Sequence, residues 1–257
     1  MTLARWVIVG LISLYVIYGV LMVVMHPRFI YPFQDRPFAG QGYETIQISD
    51  ASQAIVYKGT SGSPVIVYFM GNAGALEFFR PMLDHHKAAG RSIVAMTYPG
   101  GGGVPGRTTE TGLKQSAMKL MAAIPDLVPD GPVIVQGYSL GTGIALHVAA
   151  RHKVDAVVLS APYDALCRLM ARASVLPACL LPVQRWQSAK DAPNVSAPTL
   201  VLHGTADTLI PISEGARLAA RLPMHEFIPV EGAGHNNLFG QPGFMEKIDE
   251  FIDAHSL

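Results

Sequence analysis

Gly131-Pro132-Val133-Ile134-Val135-Gln136-Gly137-Tyr138-Ser139-Leu140-Gly141 reads as a turn, an apolar strand and then a G-x-S-x-G motif, with a helical segment following over residues 140–150. Strand, sharp turn and helix form the setting that pushes a serine hydroxyl out of a sheet, and the flanking glycines leave room for the turn. Ser139 is the candidate nucleophile. The bland alternative is a Gly-Ser turn with a solvated hydroxyl. A serine hydroxyl is a poor nucleophile near neutral pH, so it needs an adjacent base, itself oriented by a third group.

Working outward, short β-branched or apolar runs at 45–48, 54–57, 65–70, 92–98, 133–136, 156–159, 199–203 and 226–230 read as strands. Between them lie segments with helical spacing, such as Leu113, Ala117, Leu120, Met121 and Ile124, or Phe244, Met245, Ile248, Phe251 and Ile252. Strands alternating with helices imply an α/β fold: a mostly parallel central sheet with helices on both faces. Strands buried on two sides need no alternation, which accounts for the solid runs Val65-Ile66-Val67 and Leu200-Val201-Leu202.

In such sheets ligands gather at the carboxyl ends of the strands. Pro198-Thr199-Leu200-Val201-Leu202-His203 ends in Gly204-Thr205-Ala206-Asp207, which sets Asp207 at that edge as the candidate acid; its alternative role is to brace the turn or cap the next helix. The last strand runs into Glu231-Gly232-Ala233-Gly234-His235, so a glycine-flanked loop presents His235 as the candidate base. Of nine histidines it alone follows the acid in a loop after the final strand. Acyl transfer also needs donors aimed at the developing oxyanion. The Leu140 amide is one; Gly71-Asn72-Ala73-Gly74, after an earlier strand, offers Asn72 as the second, with Ala73 as the alternative.

Ahead of this domain, Trp6 to Met25 is a twenty-residue run without charge. As a helix it would span about 30 Å. It ends in Met25-His26-Pro27-Arg28 rather than a small-x-small cleavage site, so an uncleaved membrane anchor is expected over residues 1–25 rather than a signal peptide. Tyr15 and Tyr18 add little to this reading, because only Trp6 sits where an interfacial aromatic belongs. Arg5 on one side and Arg28 and Arg36 on the other specify orientation poorly, although the short amino-terminal flank favours the bulk of the chain facing outward. Residues 26–42, rich in proline, read as a linker, and 43–257 as the catalytic-type domain.

Only 15% of the 257 residues are charged, against about 25% in an average soluble chain. Removing the apolar run barely changes that fraction, so a large core and apolar surfaces account for the rest. Nineteen Lys plus Arg against nineteen Asp plus Glu leave no basic excess for nucleic acid. Two cysteines, Cys167 and Cys179, exclude a disulfide scaffold and are consistent with either a single bridge or free buried thiols. Gly101, Gly103 and Gly106 satisfy G-x-G-x-x-G, but Pro105 and a helix start near Thr108 point to a surface loop rather than dinucleotide binding. No motif suggests a metal, and the chemistry needs no cofactor.

Taken in order, the anchor, Gly71-Asn72-Ala73-Gly74, Tyr98-Pro99-Gly100-Gly101, Gly137-Tyr138-Ser139-Leu140-Gly141, His203-Gly204-Thr205-Ala206-Asp207 and Gly234-His235 resemble the α/β-hydrolases, and in particular membrane-anchored ABHD-type serine hydrolases. The resemblance implies Ser139, Asp207 and His235 as catalytic residues, with Asn72 and Leu140 as oxyanion donors. It also implies a cap between the sixth and seventh strands, about residues 163–198, whose many apolar residues either line an acyl-chain pocket or pack on the sheet. Two departures stand out: Met70 where relatives often carry histidine, and a glycine run from Gly100 to Gly103. The expected function is hydrolysis of carboxylic ester or thioester bonds of lipid-like acyl substrates at a membrane. A serine peptidase or amidase, and a catalytically silent membrane-associated binding protein, are the competing readings.

Overall fold

The computed structural model describes residues 2–50, 52–72 and 74–256. Eight strands form one sheet: β1 (Glu44–Ser49), β2 (Ser52–Tyr57), β3 (Val65–Phe69), β4 (Ser92–Thr97), β5 (Val133–Tyr138), β6 (Ala156–Ser160), β7 (Thr199–Gly204) and β8 (His225–Val230). Their spatial order is β1-β2-β4-β3-β5-β6-β7-β8. β1 and β2 pair antiparallel, as do β2 and β4; all other neighbours are parallel. Helices α2 (Arg80–Ala88), α3 (Glu110–Leu127), α4 (Leu140–Ala149), α7 (Ile212–Ala219) and α8 (Phe244–Ala254) surround it.

Every residue of β3, β4, β6 and β7 is buried, as expected for parallel strands covered on both faces. The stripe Leu113, Ala117, Leu120, Met121 and Ile124 of α3 is buried as well. Because the chain leaves β3 for β4 on one side and returns to β5 on the other, the strand order reverses beside β3. This opens a crevice at the carboxyl ends of β3 and β5. Phe69 pairs with Gly137 across it, so the loops following the two strands start side by side.

Between β6 and β7 lies the cap, with α5 (Leu166–Ser174), a short 3-10 turn (Ala178–Leu180) and the single turn α6 (Ser188–Asp191). A disulfide joins Cys167 to Cys179, resolving the open choice between bridge and free thiols. At the amino terminus α1 runs over Leu3–Ile30, so the helix continues five residues past Met25 into the segment expected to be linker. Pro27 cannot donate to the carbonyl of Val23, one turn back; the His26 Nδ1–H donates to that oxygen instead at 2.5 Å, which lets the helix pass through the proline.

Candidate active site

Ser139 stands between β5 and α4 with φ +50° and ψ −117°, a left-handed conformation that a serine adopts only when the surroundings impose it. Those surroundings are tight. A Cβ added at Gly141 would sit 2.0 Å from the Phe69 carbonyl oxygen, and one at Gly137 would sit 2.7 Å from the Gly141 carbonyl oxygen. Both motif glycines thus allow α4 to start directly against β3 and β5. The Ser139 amide donates to the Ser160 carbonyl at 2.9 Å, and the Thr142 amide and hydroxyl both donate to the Ser139 carbonyl. The turn is therefore held by the β6 backbone and by Thr142 of α4 rather than by its own preference.

Three of the expected residues meet here from three different loops. His235 Nε2 lies 3.0 Å from Ser139 Oγ, and its Nδ1 lies 2.7 Å from Asp207 Oδ2. Ser139, Asp207 and His235 are all buried. The second oxygen of Asp207 accepts from the Leu209 and Ile210 amides at 2.9 and 2.8 Å. Burial pushes the Asp207 carboxyl up, but the hydrogen bonds from His235 and the Ile210 amide outweigh it and hold the group below its ordinary range. It stands as a carboxylate, so Nδ1 carries the imidazole proton and Nε2 is left as an acceptor for the serine hydroxyl. Tyr138 donates to the His235 carbonyl, and its ring packs on His235 and Phe239 at centroid distances of 5.4 and 4.6 Å.

Asn72, after β3, and Leu140, the first residue of α4, border the same cavity as Ser139. The Leu140 N–H belongs to the first turn of a helix, where amides have no intrahelical partner. Ala73, the alternative donor, lies outside the described residues. Met70 is buried and its carbonyl accepts from the Tyr98 hydroxyl at 2.9 Å, so a tyrosine braces this loop.

Sequence reasoning passed over two features. His203, read only as a strand residue, is buried beside Asp207, with Nε2 donating to the Ile210 carbonyl at 2.8 Å and lying 3.6 Å from Asp207 Oδ2. Burial holds it below the ordinary imidazole value, so it supports the loop as a neutral group. The second is α1. A cavity of about 410 Å³ opens at Ser139, and one of its walls is α1, through Tyr18, Met22, Val23, His26, Phe29 and Ile30. Opposite stands the cap, including Leu166, Leu169, Met170 and Leu176. The spacing 18, 22, 26, 29 is that of one helical face, yet α1 is apolar all round and no face stood out in sequence.

A base within hydrogen-bond reach of a hydroxyl, oriented in turn by a carboxylate, is an arrangement able to activate that hydroxyl for attack on an acyl carbon. Residues 64–183 match the family model for the alpha/beta hydrolase fold. The chain is 32% identical over 130 residues to alpha/beta hydrolase domain-containing protein aho-3 of Caenorhabditis elegans, covering 50% of this chain and 38% of that one. It is 26% identical over 231 residues to lysophosphatidylserine lipase ABHD12 of Danio rerio, covering 76% and 59% respectively. It therefore spans less than two thirds of the length of either relative. Among solved structures, Paleococcus ferrophilus monoacylglycerol lipase superposes with a TM-score of 0.59 at 23% identity, covering 78% of this chain and 99% of that one, a likeness of fold. By sequence and fold together, the chain has the α/β-hydrolase fold and resembles the ABHD-named members of that superfamily.

Proposed function

We propose that the protein is a membrane-anchored serine hydrolase that cleaves carboxylic ester or thioester bonds of lipid-like acyl substrates. The observation that carries this reading is the continuous set of hydrogen bonds from Ser139 through His235 to Asp207 at the mouth of an apolar cavity. Ser139 Oγ attacks the acyl carbon while His235 Nε2 takes its proton, giving a tetrahedral intermediate whose oxyanion faces the Leu140 and Asn72 amides. Collapse breaks the bond to the leaving oxygen or sulfur, which receives the proton from His235. Water, deprotonated by the same nitrogen, then attacks the acyl-enzyme and releases the acid. Asp207 holds the imidazole throughout and stabilises it when it is charged.

The cavity wall supports an acyl substrate over a peptide. No Lys, Arg, Asp or Glu is among the described residues that line it, so nothing there would pair with a peptide's terminal ammonium. Both relatives and solved neighbours include proteins named as lipases. The helix Leu3–Ile30 is long and apolar enough to cross a bilayer, which supports anchoring. The Cys167–Cys179 bridge fits a cap on the oxidising side of that membrane.

Labelling with a fluorophosphonate probe tests the assignment. The native protein should label rapidly and Ser139→Ala not at all, with ester turnover falling about 10⁴-fold or more. Undiminished labelling of the variant, or none of the native protein, would overturn it.

A further inference from the structure

The amino-terminal helix makes contacts that a tether has no need of. The Tyr15 hydroxyl donates to the Val175 carbonyl at 3.0 Å and the Tyr18 hydroxyl to the Ser174 carbonyl at 3.0 Å. Both carbonyls lie at the carboxyl end of α5, where no helical amide is left to satisfy them. In water such groups are hydrated. In hydrocarbon they must find a protein partner, and two tyrosines in the middle of an otherwise apolar helix supply it. About two turns further along, His26 Nε2 accepts from the Gln184 amide at 3.1 Å, and the Tyr31 hydroxyl bonds the Gln184 side chain and receives the Trp186 indole N–H. The helix is thus seated on the cap along its whole second half.

That seat lies within the membrane-spanning stretch. From Trp6 to Tyr15 is about 14 Å of helix, so with Trp6 at one interface Tyr15 lies near the middle of a hydrocarbon layer about 30 Å thick. The cap tip beside Tyr15 and Tyr18 carries Val175 and Leu180, each 82% exposed. Two such side chains, presented outward next to a transmembrane helix, fit lipid contact better than an aqueous surface. Exposed Arg172 lies on α5 just before the tip.

From Tyr18 to Ile30 the face of α1 that lines the cavity runs for about 18 Å, beginning at the depth of the cap tip and ending beside Ser139. We propose that α1 and α5 together form a lateral acyl channel: a long-chain acyl ester enters directly from the bilayer, its chain lying between Met22 and Met170 and its carbonyl reaching Ser139. This rests on the serine-hydrolase reading and names its substrate class and route. The helix then selects substrate as well as holding the enzyme at the surface.

Full-length protein in phosphatidylcholine vesicles doped with a phosphatidylcholine carrying a diazirine in its palmitoyl chain, photolysed and mapped by mass spectrometry, tests occupancy without turnover. Adducts on Met22 or Val23 together with Leu169 or Met170 are expected; adducts confined to the outward positions of α1, such as Leu11 and Leu14, would overturn the channel. A kinetic arm uses Met22→Trp and Met22→Ala with p-nitrophenyl palmitate and butyrate. The tryptophan should lower the palmitate-to-butyrate ratio of kcat/KM at least tenfold, and alanine should leave or raise it. A ratio unmoved by tryptophan, or lowered equally by both variants, would overturn the role of α1 in chain selection. Should the native protein turn over neither ester, the hydrolase reading fails, and the adduct map still decides whether lipid chains occupy the channel.

Discussion

The carboxyl edge of the sheet and the seam between α1 and the cap both border Ser139, and they are held together in different ways. At the sheet edge each functional group is buried and over-determined: Asp207 accepts from two amides and His235, and the Ser139 turn is fixed by bonds to Ser160 and Thr142. At the seam, only His26 and Ile30 of the 28 residues of α1 are buried. The contacts there are a few tyrosine and glutamine hydrogen bonds between elements far apart in sequence. Chemistry has been placed on the rigid part of the molecule, where a displacement of a fraction of an ångström is costly. On the proposed channel, substrate selection falls at the seam, where packing is thin.

The sharpest way to break this contrast is Asp207→Asn. It preserves shape but removes the charge that orients the His235 proton, so kcat should fall by about 10⁴-fold with little change in KM. A change confined to KM would move Asp207 from the chemistry to substrate binding. Next in size is a pair of truncations. Leu200→Ala in the centre of the sheet should cost about 2–5 kcal/mol in denaturant unfolding, whereas Leu180→Ala at the exposed cap tip should stay within about 0.5 kcal/mol in detergent. Equal costs would mean that the cap is as tightly built as the sheet.

Smaller per step measured is a pH dependence from the sheet region. His86 is buried, donating to Gln136 at 2.9 Å and accepting from Arg91 at 3.1 Å. Burial first, then the Arg91 charge, pushes its pKa down to about 4. The unfolded chain protonates this histidine near pH 6.5, so between the two values it binds the proton that the native protein refuses. Stability should therefore fall as pH drops from about 6.5 to about 4, by up to ~1.4 kcal/mol per pH unit. His86→Gln should flatten that slope, as read from urea midpoints at pH 7, 5.5 and 4.5. An unchanged slope would assign the acid sensitivity elsewhere.

Much of the sheet was legible because its signals are local. All eight strands fall within two residues of their expected limits, since strands covered on both faces must be apolar without interruption. β5 extends past Gln136 through Gly137 and Tyr138, because pairing with β6 continues to Tyr138 opposite Ser160. Residues 26–30 read as linker in sequence because Pro27 signals a break, whereas in the structure the His26 ring bonds the orphaned Val23 carbonyl and the helix runs on to Ile30. His203 escaped notice because a histidine inside an apolar strand shows nothing in sequence of the loop folded over it.

Sequence alone determined the α/β alternation, the nucleophile turn and the candidate acid and base, because strand burial, tight-turn glycines and the chain order of serine, acid and histidine are written in short stretches of residues. Tertiary structure decided what meets what. It brought β3 beside β5, set His235 between Ser139 and Asp207, joined Cys167 to Cys179 and laid one face of α1 along the cavity. A helix that is apolar all round carries no periodic polar face to say which side it packs. The tyrosines of α1 find their partners in backbone carbonyls more than 150 residues away, and backbone carbonyls are the same in every sequence.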